Sequence, residues 1–242
     1  MRDIFEINNI CYVVGHAGIS TLTNECYKFP SNTDYFYCSS CLVGNNILVL
    51  CVRGIFTGVE SFLFDPNNKQ WSGGDIETEK DKFAVVEYLN KICIVGGMER
   101  GNDGNTVIHN KIEIYDTVNK TPVLLPIKMI QARCYHRVIV YKNKLYVFGG
   151  YNYDDYILSS VEMYSPADAN KFVLMTSMKI ARYSFGCCRV GNLVYVIGGW
   201  TRIGLTNSVE IFNLDTNTWT DGVDFPETTK LDLACAVNSK IE

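Results

Sequence analysis

Lys144-Leu-Tyr-Val-Phe-Gly-Gly150 decides the fold, because the chain repeats it: Lys91-Ile-Cys-Ile-Val-Gly-Gly97 comes before it and Leu193-Val-Tyr-Val-Ile-Gly-Gly199 after it. Each copy is a short apolar run, the pattern of a buried strand. Each closes on a glycine pair, which permits backbone angles or a close backbone approach that a Cβ would prevent. The pairs are 53 residues (Gly97 to Gly150) and 49 residues (Gly150 to Gly199) apart. Two weaker copies lie upstream. Ile10-Cys-Tyr-Val-Val-Gly15-His16 keeps one glycine, and Ile47-Leu-Val-Leu-Cys51-Val52 keeps neither. No helix follows any pair, so none is a phosphate-cradling loop.

Other positions recur in phase. Glu-x-aromatic appears as Glu113-Ile-Tyr115, Glu162-Met-Tyr164 and Glu210-Ile-Phe212, and a second aromatic follows the first, Trp71 after Phe64, Phe172 after Tyr164 and Trp219 after Phe212. The third unit has Thr121-Pro122 where that second aromatic belongs. Asp65-Pro-Asn-Asn68 and Asn213-Leu-Asp-Thr-Asn217 supply turn residues between them. Arg133 and Arg182 each stand 16 residues ahead of the first glycine of a pair. The pattern predicts a four-stranded antiparallel unit. Strands a and b join at Lys142-Asn143-Lys144 or Gly191-Asn192, b ends at the glycines, c carries Glu-x-aromatic and d carries Trp. One such sheet cannot bury both faces, so several must stack. The expected units span 1–36, 37–75, 80–126, 130–176 and 180–222, with a partial sixth at 228–242. In that last piece Lys230–Val237 reads as a strand a and Lys240-Ile241-Glu242 as the start of a strand b, which suggests a truncated product or a fragment. Such a ring exposes sheet edges and apolar faces.

The balance of 22 basic and 26 acidic side chains, a net charge of −4, excludes a nucleic-acid binder that works through net positive charge. With 47% hydrophobic and 20% charged residues the chain can bury a core. No stretch is apolar enough to span a bilayer, and MRDIFEINNICYVV lacks a secretory h-region, so a cytoplasmic protein with no membrane partner is expected. The ten cysteines, spread from Cys11 to Cys235, read as reduced core residues. Cys38-Ser-Ser-Cys41, flanked by Cys26 and Cys51, offers one tight pair where a structural zinc site has two, and an extended strand turns Cys38 and Cys41 to opposite faces. His16, His109 and His136 have no metal-ligand spacing, no nucleophile elbow or zinc-protease motif is present, and Asp154-Asp155 reads as a solvated loop pair. No enzyme, cofactor or metal is expected.

Taken together, the Gly-Gly ends of strand b, the spaced aromatics and the arginine before strand a resemble the kelch-repeat β-propeller over essentially the whole chain. The resemblance implies an all-β fold of four-stranded antiparallel blades, with five recognisable units and the start of a sixth. It further implies that strand a lines a central channel and that the b–c and d–a loops share one face. On that face it places Arg100, Arg133, Tyr135, His136, Tyr151, Tyr153, Arg182, Tyr183, Trp200 and Arg202 as candidate partner-binding residues. Arginine and large aromatics are typical of interface hot spots. Arg133 and Arg182, being in repeat phase, could instead serve the blade junctions. Among kelch proteins the chain looks most like the propellers of kelch-like ubiquitin-ligase adaptors, whose BTB and BACK domains, absent from these residues, bind the cullin. A protein substrate is therefore the expected partner. Actin, which other kelch proteins bind, is the alternative, as is a free-standing scaffold or decoy.

Overall fold

The computed structural model describes residues 3–8, 10–15, 17–22, 25–31, 35, 37–53, 58–74, 76–101, 103–116, 122–167, 171–226 and 237–238. These contain 25 strands. The first blade is β1 (Asp3–Ile7), β2 (Ile10–Gly15), β3 (Gly18–Thr21) and β4 (Cys26–Lys28). The second is β5 (Tyr37–Val43), β6 (Asn46–Val52), β7 (Val59–Asp65) and β8 (Gln70–Gly73). In the third, β9 (Ala84–Tyr88), β10 (Lys91–Val95), β13 (Lys111–Asp116) and β14 (Pro122–Lys128) form the sheet, and β11 (Met98–Arg100) with β12 (Thr106–Ile108) form a small hairpin off its edge. The fourth is β15 (Arg137–Tyr141), β16 (Lys144–Asn152), β17 (Tyr156–Tyr164) and β18 (Phe172–Met175). The fifth is β19 (Gly186–Val190), β20 (Leu193–Ile197), β23 (Val209–Asn213) and β24 (Thr218–Asp221), with β21 (Trp200–Thr201) and β22 (Gly204–Leu205) as its hairpin. Every blade pairs its strands antiparallel in chain order, giving a five-bladed β-propeller.

The sheets form because the repeat supplies both turn and core chemistry. Leu89 and Asn90, like Lys142 and Asn143, have positive φ at the a–b turns, the conformation that a two-residue hairpin of matching twist requires. Cores lie between successive blades. Tyr12, Ile19 and Phe64 pack between the first and second, Leu50, Phe83 and Ile94 between the second and third, Val95, Val147 and Tyr164 between the third and fourth, and Phe148, Val196 and Phe212 between the fourth and fifth. Each large apolar side chain buried in this way contributes roughly 1.5–3 kcal/mol. Strand b of the three middle blades is covered on both faces, with Leu48–Cys51, Ile92–Val95 and Leu145–Phe148 all buried. In β20 only Val194 and Val196 are fully buried, while Leu193, Tyr195 and Ile197 are half-buried on the flank away from the fourth blade.

The glycine pairs sit where the sequence places them, and their neighbours show why. A Cβ on Gly97, Gly150 or Gly199 would lie 2.8, 2.8 or 2.6 Å from the Cβ of Phe83, His136 or Phe185 respectively. These three glycines have φ of 92°, 107° and 91°. The repeat therefore packs the stem of Phe83, His136 or Phe185 on the second glycine of its own blade, and a Cβ on Gly96 or Gly149 would lie 2.8 or 2.9 Å from the ring of His136 or Phe185 in the next blade. β25 (Val237–Asn238), parallel to both β1 and β19, bridges the innermost strands of the first and fifth blades. The rest of the predicted sixth unit lies outside the described residues. Cys38 and Cys41 do face opposite ways, Cys38 into the core shared with the first blade and Cys41 into that shared with the third.

Candidate functional site

One face of the ring carries the segments that enter strand a and those that leave strand b. They are held together blade by blade through short antiparallel bridges: Asp81 with Met98, Cys134 with Tyr151, and Tyr183 with Trp200. Successive entry segments are also stitched around the channel, where the Tyr135 amide donates to the Lys82 carbonyl (2.9 Å) and the Ser184 amide to the Tyr135 carbonyl (3.0 Å). Lys82, Tyr135 and Ser184 stand in repeat phase and all have positive φ, at 53°, 55° and 50°. The residue after this turn, Phe83, His136 or Phe185, is fully buried, whereas the side chains of Tyr135 and Tyr183 stay partly exposed on the loop face.

Those side chains form a tyrosine cluster. Tyr183 lies 5.7 Å from Tyr135 and 5.9 Å from Tyr151, and Tyr151 lies 5.9 Å from Tyr153 and 6.3 Å from Tyr156, measured between ring centroids. The rings meet edge to face or tilted, the favourable arrangement for aromatic quadrupoles. Tyr153 and Tyr156 are exposed at 52% and 61%, and Trp200, bridged through its backbone to Tyr183, at 37%. Partial burial raises the pKa of the Tyr151 hydroxyl, with Tyr153 and Tyr156 reinforcing the shift. Lys82, ion-paired with Asp81, places its ammonium 5.6 Å from the Tyr135 ring centroid as a cation–π contact. Arg100 and Arg202 are exposed on the flanking hairpins, and the fully exposed Ile203 caps the second of these. His109 and Glu99 meet at 2.9 Å across the first hairpin, where burial and then Lys80 lower the histidine's pKa.

Three of the expected contact residues do not belong to this face. Arg133, His136 and Arg182 have no exposed surface, so a partner docking on the rim cannot touch their side chains. Arg133 donates from Nη1 to the Gly149 carbonyl (2.8 Å) and pairs with Glu162. Arg182 donates to the Gly198 carbonyl (2.8 Å), the Ser208 carbonyl (3.1 Å) and the Glu210 carboxylate (2.7 Å). Each carboxylate also accepts two backbone amides from the segment entering the blade: Ile130 and Gln131 on Glu162, Lys179 and Ile180 on Glu210. Burial lowers both guanidinium pKa values and the facing carboxylates oppose this. Of the two readings of the arginines, the geometry selects the structural one. His136 packs its Cβ against Gly150 and its ring against Gly96 of the third blade, where burial and then Arg133 and Arg137 hold its pKa well below the ordinary value.

The sequence reading missed several partners. Lys80, 16 residues ahead of Gly96 and so in arginine phase, is buried and meets Glu113 at 2.5 Å, so the third blade has a lysine version of the clamp. In the second blade the same two positions hold Tyr35 and Phe62, whose rings pack edge to face at 6.0 Å. Tyr156, an exposed member of the cluster, carries no repeat signal, whereas Lys82 shares the phase of Tyr135 and Ser184 under a different residue type.

Against known proteins, residues 82–231 match the family model described as the KLHDC2/KLHL20/DRC7 Kelch-repeats domain. Kelch-like protein 40 of Mus musculus is 26% identical over 224 residues, covering 88% of this chain and 35% of that protein. Kelch-like protein 15 of Mus musculus is 34% identical over 173 residues, covering 64% and 28%. The Kelch repeat and BTB domain-containing protein 2 of cowpox virus (strain Brighton Red) is 32% identical over 134 residues, covering 53% and 22%. The chain thus spans about a quarter to a third of the length of these curated relatives. The solved structure titled "Structure of YjhT" superposes with a TM-score of 0.68 at 13% identity, over 81% of this chain and 68% of that one, a likeness of fold.

Proposed function

The chain belongs to the kelch-repeat family, and from that premise we propose that it is a non-catalytic protein-interaction module whose partner docks on the loop face of the third to fifth blades. The observation that carries this reading is the cluster of Tyr135, Tyr151, Tyr153, Tyr156 and Tyr183, with Trp200, Arg100 and Arg202 on the loop hairpins of the fifth and third blades, partly or fully exposed on a face stitched by backbone hydrogen bonds. Large aromatics on a rigid frame bury much surface on binding at small entropic cost, and arginine adds forked bonds to carboxylates. No described group of three or more His, Cys, Asp or Glu side chains is gathered as metal ligands would be.

The finer reading is the substrate-recognition propeller of a cullin-RING ubiquitin-ligase adaptor. Its support is the similarity to two kelch-like proteins and to a viral protein named for both kelch repeats and a BTB domain. In that role these residues hold the substrate, and the cullin contact falls to BTB and BACK segments outside them. The test is capture on immobilised protein, comparing wild type with Tyr153→Ala/Trp200→Ala/Arg202→Ala. The proposal expects a set of proteins lost from the variant, whose steady-state level rises when the gene is silenced. Co-sedimentation with filamentous actin, abolished by the same substitutions, would replace the adaptor reading with the actin one. Capture unchanged by the triple variant would remove the loop face from consideration.

A further inference from the structure

Cys38 and Cys51 are direct cross-strand partners in β5 and β6, with their Sγ atoms 2.9 Å apart in the core between the first and second blades. The repeat explains why these two residues meet. Extending each ladder by one step, the same position in the third, fourth and fifth blades brings Phe83, His136 or Phe185 to the first glycine of a pair. The second blade has replaced the ring and the glycine together by two cysteines. It has also lost the Arg–Glu clamp, with Tyr35 and Phe62 in its place. This blade therefore lacks both devices that fix its neighbours, and in the same place it holds two sulfurs in contact.

We propose that Cys38 and Cys51 are a redox site, which a peroxide closes into a disulfide that staples strands a and b of the second blade. Directly opposed residues of an antiparallel pair have Cα separations of about 4.5 or 5.5 Å, both within the range a disulfide spans. Closing from 2.9 Å to a bond of about 2.05 Å needs less than an ångström of movement. In the first step the thiolate of one cysteine attacks hydrogen peroxide, the O–O bond breaks, and a sulfenic acid and hydroxide form. The second sulfur then displaces the sulfenic oxygen, the S–S bond forms, and the two thiol protons leave with two waters. Two sulfurs lose one electron each and the two peroxide oxygens are reduced. The Cys38 and Cys51 side chains are 2% and 0% exposed, so the bond forms during openings of the blade and is afterwards shielded from thiol reductants.

The test uses the whole 242-residue chain. Protein treated with hydrogen peroxide is alkylated with N-ethylmaleimide and digested unreduced with chymotrypsin, which cuts after Leu42 and Leu48. The proposal expects a fragment containing Cys38 joined to one containing Cys51, lighter by two hydrogens. It also expects a higher melting temperature than that of the reduced protein, which returns to the reduced value when the oxidised chain is unfolded in dithiothreitol and refolded. The bond and the melting shift persist in Cys41→Ser and Cys93→Ser and vanish in Cys38→Ser. Because the comparison of oxidised and reduced wild type needs no variant, a substitution that fails to fold does not spoil it. Alkylated Cys38 and Cys51 after exhaustive oxidation, a link from either to another cysteine, or a bond that leaves melting unchanged would each overturn the proposal.

Discussion

Arg182 Nη2 lies 2.7 Å from Glu210 Oε1 with both side chains almost wholly buried, and one blade earlier Arg133 and Glu162 repeat the arrangement with the same carbonyl and amide partners. The pair ties three segments of a blade together: the entry loop through its amides, the end of strand b through the glycine carbonyl, and strand c through the glutamate. It fixes the frame on which the loop face is carried.

Arg182→Ala leaves Glu210 buried opposite no cation, a change that costs about 3–5 kcal/mol. For a chain of this size the thermal midpoint then falls by roughly 10 °C. Differential scanning calorimetry checks this, and a fall below about 1 kcal/mol would show that the pair does not hold the blade. Arg182→Lys is predicted to recover only part of the loss, because an ammonium cannot reach two carbonyls and a carboxylate in a planar fork.

Two glycine substitutions separate backbone conformation from crowding. Gly191 has φ 60° with open space around it, so Gly191→Ala costs about 1–2 kcal/mol from the left-handed conformation alone. Gly199→Ala adds a Cβ 2.6 Å from that of Phe185, which raises the loss to about 3 kcal/mol or more. Equal effects in urea melts would refute the account in which the second glycine of a pair makes room for the residue packed against it.

His136 makes stability depend on acid. In the unfolded chain its imidazole titrates near 6.5, whereas in the folded protein burial, Arg133 and Arg137 hold the pKa well below that. The unfolded state therefore binds the extra proton first. The stability present above about pH 6.5 is lost progressively as the pH falls toward the folded value. His136→Phe, which copies the residue in phase in the third and fifth blades, is predicted to flatten the pH dependence of unfolding between about pH 6.5 and 5. An unaltered profile would assign the acid loss to other groups.

How far the sequence shows this structure varies from one residue to the next. Gly150 and the Lys144–Phe148 run identify their blade because a doubly covered strand must be apolar throughout and its end must admit a ring. Glu162 and Glu210 are visible as repeats, but their arginine partners lie 29 and 28 residues away, and spacing alone does not say that they touch. Arg133 and Arg182 therefore suit a partner and a blade junction equally on spacing, and His136 reads from sequence as a partner residue. Lys80 was hidden by a change of residue type at a conserved phase position, and Tyr156 by its place in a loop whose sequence does not repeat. Strand and turn chemistry recur, and so can be read. Which side chains stay exposed depends on a backbone turn, set by the positive φ of Tyr135 and Ser184, that no local pattern announces.

The most direct measurement places a photo-crosslinking amino acid at Tyr153, at Trp200 or, on the opposite face, at Lys142, where the side chain pairs on the surface with Asp215 at 3.0 Å. All three positions are exposed, and a solvent-screened surface pair such as that of Lys142 contributes little to folding, so each labelled protein is expected to fold. After irradiation in cells, the loop-face account predicts the same crosslinked protein from positions 153 and 200 and none from 142. Crosslinks arising from position 142 alone would contradict it and move the interaction to the face of the a–b turns.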